Sequence, residues 1–166
     1  MRARLVVALA LCIAAANVSA QWRYTAKRDE MTDKVNRSAE LQSRNKIDLS
    51  FPYGGGTRGR LLIRQLGDEE SPSLILWVDR GQLVCGIEEC QVQLRFDGGE
   101  AEKITARPSA GGRSDGLFLD EPDALIARLN GTKRLLVRAF FYQDGNQVFE
   151  FAPQGLKWAP SASPSK

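Results

Sequence analysis

Histidine is absent from the whole sequence of 166 residues. Its absence excludes Ser-His-Asp and Cys-His nucleophile activation, histidine acid–base catalysis, and zinc or copper sites ligated by imidazole. It also removes the one side chain whose unperturbed pKa lies near neutral pH. Paired carboxylates, lysine or tyrosine could still serve catalysis, but no catalytic motif is recognisable. The sequence therefore predicts a non-enzymatic protein with no catalytic residue, no metal site and no cofactor.

Long apolar runs are scarce as well. The longest, Leu5–Ala16, is well short of the roughly 20 residues that a membrane-spanning helix needs. Arg2 and Arg4 precede it, and small residues of an A-x-A-like cleavage site follow at Val18–Ala20. Together these features predict a secretory signal peptide over residues 1–20. They favour a periplasmic or secreted mature protein with no membrane span.

Charge of one sign is not in excess either. The chain has 23 Lys and Arg residues against 20 Asp and Glu residues, a formal net charge of +3. Removal of the predicted signal peptide takes away two arginines and no acidic residue, which leaves a charge of about +1. A nearly neutral domain has no global attraction for nucleic acid, so no nucleic-acid partner is predicted. We expect a single β-rich domain over residues 21–158, followed by a disordered tail, rich in proline and serine, over 159–166.

Cysteine is rare, with three in the chain, and Cys12 lies inside the predicted signal peptide. The other two, Cys85 and Cys90, enclose Gly-Ile-Glu-Glu. An even number of cysteines in an exported domain is typical of a disulfide. The spacing differs from the C-x-x-C of redox enzymes, and two thiolates alone make a poor metal site. We therefore predict a structural disulfide between Cys85 and Cys90.

What the sequence does contain is short apolar–polar alternation with a period of two, which is typical of strands with one buried face. It is clearest in Ile47–Phe51 and Gln91–Phe96. Leu135–Tyr142 and Val148–Phe151 flank an Asp144-Gly145 pair, a strong hairpin signal because both residue types accept positive φ.

The other segments complete the prediction of the fold. One helix is expected, capped by Asp120 and ended by Asn130-Gly131. Ala110–Gly116 is predicted to be a loop. The pattern as a whole indicates a mainly β fold, an antiparallel β-sandwich or flattened barrel with one short helix near the C-terminal hairpin.

Candidate binding residues lie in two regions. Tyr53, Arg58 and Arg80 are expected on the loop side of the sheet, around a glycine-rich turn that lacks the Gly-Lys-Ser/Thr ending of a phosphate-binding loop. Arg95 and Asp97 stand at the end of a strand. There they could bind a carboxylate or a peptide. Equally well, they could pair with each other as a structural ion pair or simply lie on the surface of the sheet.

Aromatic residues offer a further candidate surface. Phe140 and Phe141 are consecutive, so they point to opposite faces of a strand and one of them could be exposed. An exposed ring near Tyr53 would suit a protein or glycan partner. Packing in the core is the alternative interpretation of these aromatics.

Several short segments carry a resemblance to a known group of proteins. They are Trp22-Arg23-Tyr24, Asp29-Glu30-Met31-Thr32, Ser43-Arg44-Asn45, Phe51-Pro52-Tyr53-Gly54-Gly55, Gly81-Gln82, Cys85, Cys90 and Arg95-Phe96-Asp97. In these segments the chain resembles a loose group of small exported bacterial proteins, many of them uncharacterised. The group is distantly similar to periplasmic accessory proteins associated with type VI secretion. The resemblance implies a periplasmic β domain with a binding or accessory role, and no catalytic residues come with it.

Three functional hypotheses follow. The leading one is an exported, non-enzymatic protein whose loop side binds another protein or a component of the bacterial envelope. The second is an inhibitor of a secreted hydrolase such as lysozyme, which would insert the disulfide loop Gly86–Glu89 into the target. The third is a carboxylate-based hydrolase of cell-wall glycan, which requires two acidic side chains that face each other in a groove.

Overall fold

The computed structural model describes residues 22–109 and 113–158. Within these ranges the chain forms nine β-strands and one α-helix. The elements are β1 (Arg23–Arg28), β2 (Val35–Gln42), β3 (Gly59–Gln65), β4 (Ser73–Val78), β5 (Cys90–Phe96), β6 (Glu102–Ser109), β7 (Arg113–Leu119), α1 (Pro122–Leu129), β8 (Leu135–Phe141) and β9 (Gly145–Phe151). The predicted signal peptide (1–20) and tail (159–166) lie outside the described residues.

All nine strands belong to one sheet in the order β1-β2-β3-β4-β7-β6-β5-β8-β9, and each neighbouring pair is antiparallel. The sheet is not closed, because the described strands β1 and β9 form its edges and do not pair with each other. The prediction of a mainly β antiparallel fold with one short helix is confirmed.

Alternating burial explains why these segments form strands. In β8 the side chains of Leu135, Val137, Ala139 and Phe141 are buried, while every second residue faces outward. The hairpin to β9 forms where the Asp-Gly pair predicts it, and Gly145 takes a positive φ of 65°. A period of two places all the apolar residues on one face, and burial of that face stabilises the strand.

The buried faces of the sheet enclose one hydrophobic core. Helix α1 covers the core at one end with Leu125, Ile126 and Leu129. These residues have the i, i+1, i+4 spacing that forms an apolar stripe on a helix. The helix is therefore held by tertiary packing, because eight residues alone would not form a stable helix in water.

The predicted helix cap is wrong. The N-cap residue is Glu121, in the left-handed conformation with a φ of 53° and without a side-chain cap hydrogen bond. Asp120 instead accepts a hydrogen bond from Arg107 on β6. The Asp120 carboxylate, which the sequence pattern assigned to the helix cap, therefore forms an ion pair with the neighbouring strand instead.

Two other local predictions also differ from the structure. Ile47–Phe51 forms no strand, only a single bridge between Ile47 and Thr57, although Ile47 and Leu49 are buried as their alternation suggests. The predicted loop Ala110–Gly116 overlaps strand β7, which begins at Arg113; residues 110–112 lie outside the described ranges. Pairing with both β4 and β6 holds this Gly- and Ser-containing segment extended, because context outweighs strand propensity.

The edge of β9 is covered by a side chain. Asn45 donates from Nδ2 to the carbonyl of Val148 at 2.8 Å and accepts at Oδ1 from the amide of Glu150 at 2.7 Å. Arg44 adds a backbone hydrogen bond to the Glu150 carbonyl. The segment after β2 therefore satisfies the backbone groups that an edge strand would otherwise expose.

Candidate functional site

The loops lie at two opposite ends of the sheet. We call one the disulfide end; it carries the segments 43–58, 79–89 and 142–144. The other is the helix end, which carries 29–34, 66–72, 97–101 and 120–134. Strand register defines them: Gly59 pairs with Val78 at the disulfide end, and Phe96 pairs with Leu135 at the helix end.

This geometry separates the residues that the sequence proposed for binding. Tyr53, Arg58 and Arg80 lie together at the disulfide end, as the prediction of a shared loop side requires. Arg95 and Asp97 lie at the helix end, at the far end of β5. The five residues therefore do not form one site.

The two arginines at the disulfide end hold loops in place. Arg80 donates from its guanidinium to the carbonyls of Gly54 at 3.2 Å and Gly56 at 3.1 Å, which fixes the glycine-rich turn. Arg58 donates to the carbonyls of Ser43 and Arg44, the latter at 2.6 Å. Their donors stabilise the protein's own backbone, so they shape this surface. Their role in binding a partner stays a prediction.

The helix-end pair is also engaged internally. Arg95 donates to the carbonyls of Gly98 and Gly99. The Asp97 carboxylate accepts from the backbone amides of Lys133 and Arg134 at 2.9 and 2.8 Å. Each side chain therefore stabilises a turn through backbone contacts, and the alternative in which Arg95 pairs with Asp97 is wrong.

The cysteines form the predicted disulfide, with their α-carbons 4.9 Å apart. The bond closes an excursion of the chain just before β5. Leu83 bridges Phe141 on β8, and the amide of Val84 donates to the carbonyl of Phe140. The chain then leaves the sheet at Cys85 and returns at Cys90. The loop Gly86–Glu89 projects from the sheet, and all four of its residues are exposed.

Large apolar side chains are exposed at this end of the sheet. Ile87 is 99% exposed and Phe51 is 91% exposed. Val84, Phe140 and Tyr142 are partly exposed. We call these five residues the apolar patch; they are Phe51, Val84, Ile87, Phe140 and Tyr142. Exposed large apolar residues grouped at one end of a protein are typical of interaction surfaces.

Hydrogen bonds between loops connect the segments that carry Phe51, Val84, Phe140 and Tyr142. The backbone amide and the hydroxyl of Ser50 both donate to Asp144 Oδ1, at 2.9 and 2.8 Å, which ties Phe51 to the β8–β9 turn. The amide of Tyr142 donates to the carbonyl of Gln82. Val84 and Phe140 lie opposite one another on the outer face, because the preceding residue Leu83 bridges buried Phe141.

The sequence identified part of this patch and missed the rest. Exposure of one ring of Phe140 and Phe141 was one of two interpretations of the sequence; in the structure Phe140 is exposed and Phe141 is buried. Tyr53 is instead half-buried and packs against the core. Phe51 was missed because a period of two assigns it to a buried face. Ile87 was named only as part of the disulfide loop Gly86–Glu89, and the usable signal for its exposure is its position between two disulfide-bonded cysteines.

Two acidic residues, one on β7 and one in the turn after it, pair with separate arginines. Asp115 pairs with Arg113, whose hydrogen bond lowers the pKa of the Asp115 carboxyl. Asp120 pairs with Arg107 on the neighbouring strand. In residues 22–109 and 113–158, no three His, Cys, Asp or Glu side chains come together as a metal-binding group. The same described part of the chain contains no helix that is long and apolar enough to cross a membrane.

Comparison with known proteins gives one partial similarity. No family model matches the chain, and no solved structure matches it. Among curated proteins, the chain is 25% identical over 135 residues to the ribosomal large subunit pseudouridine synthase D of Neisseria meningitidis, a match that covers 80% of this chain. The chain spans about a third of that relative, since the match covers 32% of it. So low an identity over so small a share leaves the family open and carries no activity over to this chain.

Proposed function

We propose that this chain is an exported, non-enzymatic protein that binds another protein of the bacterial envelope through the apolar patch at its disulfide end. The observation that carries the proposal is the exposure of Ile87 and Phe51 beside three further exposed apolar side chains on the same end of the sheet. Aromatic and aliphatic residues of this kind supply most of the binding energy in protein interfaces once a partner covers them.

Rigidity of the scaffold supports this proposal. The disulfide closes the loop that presents Ile87, and two hydrogen bonds to Asp144 hold the segment that presents Phe51. A loop whose backbone is already held in place loses less conformational entropy on binding, so more of the contact energy appears as affinity. Because its loops are held in this way, the patch is better suited to bind a partner protein than to bind a loosely held surface ligand.

A pair of crosslinking variants tests the proposal. A photoreactive phenylalanine analogue replaces Ile87 in one variant and Met31, which is 93% exposed at the helix end, in the other. Both proteins are expressed with their complete N-terminal segment in the source bacterium and irradiated in the cells. We expect a discrete adduct with an envelope protein from position 87 and none from position 31.

Substitutions then show whether the patch itself provides the affinity. Ile87→Ser and Phe51→Ser should weaken binding of the crosslinked partner by at least tenfold, whereas Met31→Ser should leave it unchanged. Equal adducts from both positions, or unchanged affinity in the patch variants, would contradict the proposal. Hydrolysis of cell-wall glycan by the purified protein would contradict its non-enzymatic part.

Export is tested separately. N-terminal sequencing of the protein from a periplasmic or culture fraction should start at Gln21, the residue after the predicted cleavage site. Recovery of the uncleaved chain from the cytoplasm alone, with Cys85 and Cys90 reduced, would rule out the export step.

Inhibition of a secreted hydrolase is the second candidate, and the projecting disulfide loop favours it. Glu88 and Glu89 are exposed at its tip, and neither forms an ion pair with a described residue. An acidic tip is suited to a basic target such as lysozyme. Addition of the protein to a lysozyme assay should then reduce the rate of lysis. Glu88→Ala with Glu89→Ala should abolish the effect, and Glu100→Ala at the helix end should preserve it.

A further inference from the structure

A pocket of about 440 Å³ opens beside edge strand β1, away from the apolar patch. Its walls include Tyr24, Ala26, Arg37, Gln65, Lys157 and Trp158. This volume lies in the range of pockets that hold small ligands, about 300–1,000 Å³.

Strand register places this pocket on the inner face of the sheet. Tyr24 pairs with Ala39, which is fully buried in the core, and two residues further along Ala26 pairs with Arg37. Arg37 in turn pairs with Gln65 on β3. Since alternate residues share a face, the pocket lies on the same face of β1, β2 and β3 as the core, just past the last buried residues.

The pocket exists because the sheet does not close. The chain after β9 passes across β1 without pairing with it. Trp22 donates from Nε1 to the carbonyl of Pro153 at 2.7 Å, and the amide of Lys157 donates to the Tyr24 hydroxyl at 2.6 Å. These two contacts hold Trp158 over the inner face of the strands.

The charge of the pocket has one sign. Its lining in the described part of the chain contains Arg37 and Lys157 and no acidic residue. Neither cation forms an ion pair with a described carboxylate, although ten ion pairs link other residues of the described ranges. Two cations without carboxylate partners beside an apolar wall favour an anion.

Trp158 contributes to the pocket through its ring and not through its indole N–H. Nε1 is shielded from solvent, so a ligand that enters the open pocket does not reach this donor. The aromatic bodies of Trp158 and Tyr24 provide apolar contact area in the same pocket.

We propose that this pocket binds a small amphipathic carboxylate. Its apolar body packs against Tyr24 and Trp158, and its carboxylate is held by Arg37 and Lys157. The site is independent of the proposed protein-binding function, because it lies on the inner face beside β1 and shares no residue with the apolar patch.

Octanoate is the probe that tests this site, with octanol and octylamine as the neutral and cationic probes of equal chain length. The ¹⁵N-labelled protein gives three indole N–H signals, from Trp22, Trp77 and Trp158, and Trp158→Phe assigns the last. We expect octanoate to shift the Trp158 signal to saturation and leave the Trp77 signal in place. Octanol and octylamine should bind at least tenfold more weakly.

Matched variants locate the anion. Arg37→Gln and Lys157→Gln should each raise the Kd for octanoate about tenfold, the loss of one charge-assisted contact. Arg138→Gln is the control, because Arg138 is exposed and contacts Gln93 on a distant part of the sheet. A shift that does not saturate, equal binding of octylamine, or an unchanged Kd in both pocket variants would overturn the proposal. Each of these results leaves the crosslinking test of the apolar patch unaffected.

Discussion

Gly59 at the start of β3 lies directly against the ring of Phe149 on β9. A β-carbon at Gly59 would be 2.7 Å from Cγ of that ring, closer than a real β-carbon comes to another atom. Phe149 is fully buried and lies among Phe141 and Phe151. This contact places β9 against β3. Because the two strands are far apart in the sheet order, the sheet must curl tightly on itself to bring them together.

Gly59→Ala should therefore destabilise the fold. The buried ring cannot move aside freely, and overpacking of a core typically lowers the free energy of unfolding by about 1–3 kcal/mol. Gly131→Ala is the matched control, because no atom lies within 4 Å of the added carbon. Urea denaturation of both variants checks this. Equal stability of Gly59→Ala and the unchanged protein would show that β9 does not pack this closely.

Asn45→Ala should expose the edge of β9. The substitution leaves the Val148 carbonyl and the Glu150 amide without the partners that Asn45 supplies. Loss of a partner for such groups costs about 1–3 kcal/mol of unfolding free energy. Asn146→Ala, an exposed residue in the same hairpin, should change stability little. Amide hydrogen exchange at Glu150 should rise in the first variant, and unchanged exchange would show that Asn45 does not protect this edge.

Replacement of Cys85 and Cys90 by serine should affect both stability and binding. Closing a loop of this length lowers the entropy of the unfolded chain, which stabilises the folded protein by roughly 2 kcal/mol in the chain-entropy model. The same change frees the loop that presents Ile87, so crosslinking from position 87 should fall while the protein remains folded. Thermal denaturation with and without reductant measures the effect on stability. A melting temperature that does not respond to reduction of the unchanged protein would contradict the prediction.

Acidification should weaken the fold through Glu150. The hydrogen bond from Arg134 lowers the pKa of the Glu150 carboxyl below its ordinary value of 4.5, assisted by the charge of Arg44. A carboxyl whose pKa is lowered by folding stabilises the protein above its unfolded pKa. That contribution is lost as the pH falls through the lower, folded pKa.

The measurement is the unfolding free energy of the unchanged protein and of Glu150→Gln between pH 6 and about pH 3. The variant should be less stable at pH 6, and the difference between the two proteins should shrink as the pH falls below 4.5. A difference that stays constant across this range would show that the ion pair with Arg134 does not contribute. Glu100→Gln, an exposed carboxylate at the helix end, is the control and should show no such difference.

Much of the fold could be predicted because its signals are local. The alternation in Gln91–Phe96 and the Asp144-Gly145 turn each specify a strand or hairpin without reference to the rest of the chain. The helix position was predicted for the same reason, whereas its cap was wrong. The conformation of Asp120 depends on Arg107, which is distant in sequence and reaches it only through the sheet.

The candidate site was harder to predict. Arg58 and Arg80 were selected as exposed cations on loops, yet their donors bind carbonyls of residues that only folding brings near. Phe51 alternates like a buried strand residue, but its segment leaves the sheet and the ring stays exposed. A sequence pattern gives the side of an element on which a residue lies, and it does not say whether another element will cover that side.

By itself, the sequence determined the β class, the disulfide partners and the absence of imidazole chemistry, because these depend on residue type and short spacing. The tertiary structure alone decided how far the sheet curls, which loops meet at the disulfide end, and where a pocket stays open beside β1. Those features arise from contacts between residues far apart in the chain. Their energies depend on packing and on backbone groups that no local pattern encodes.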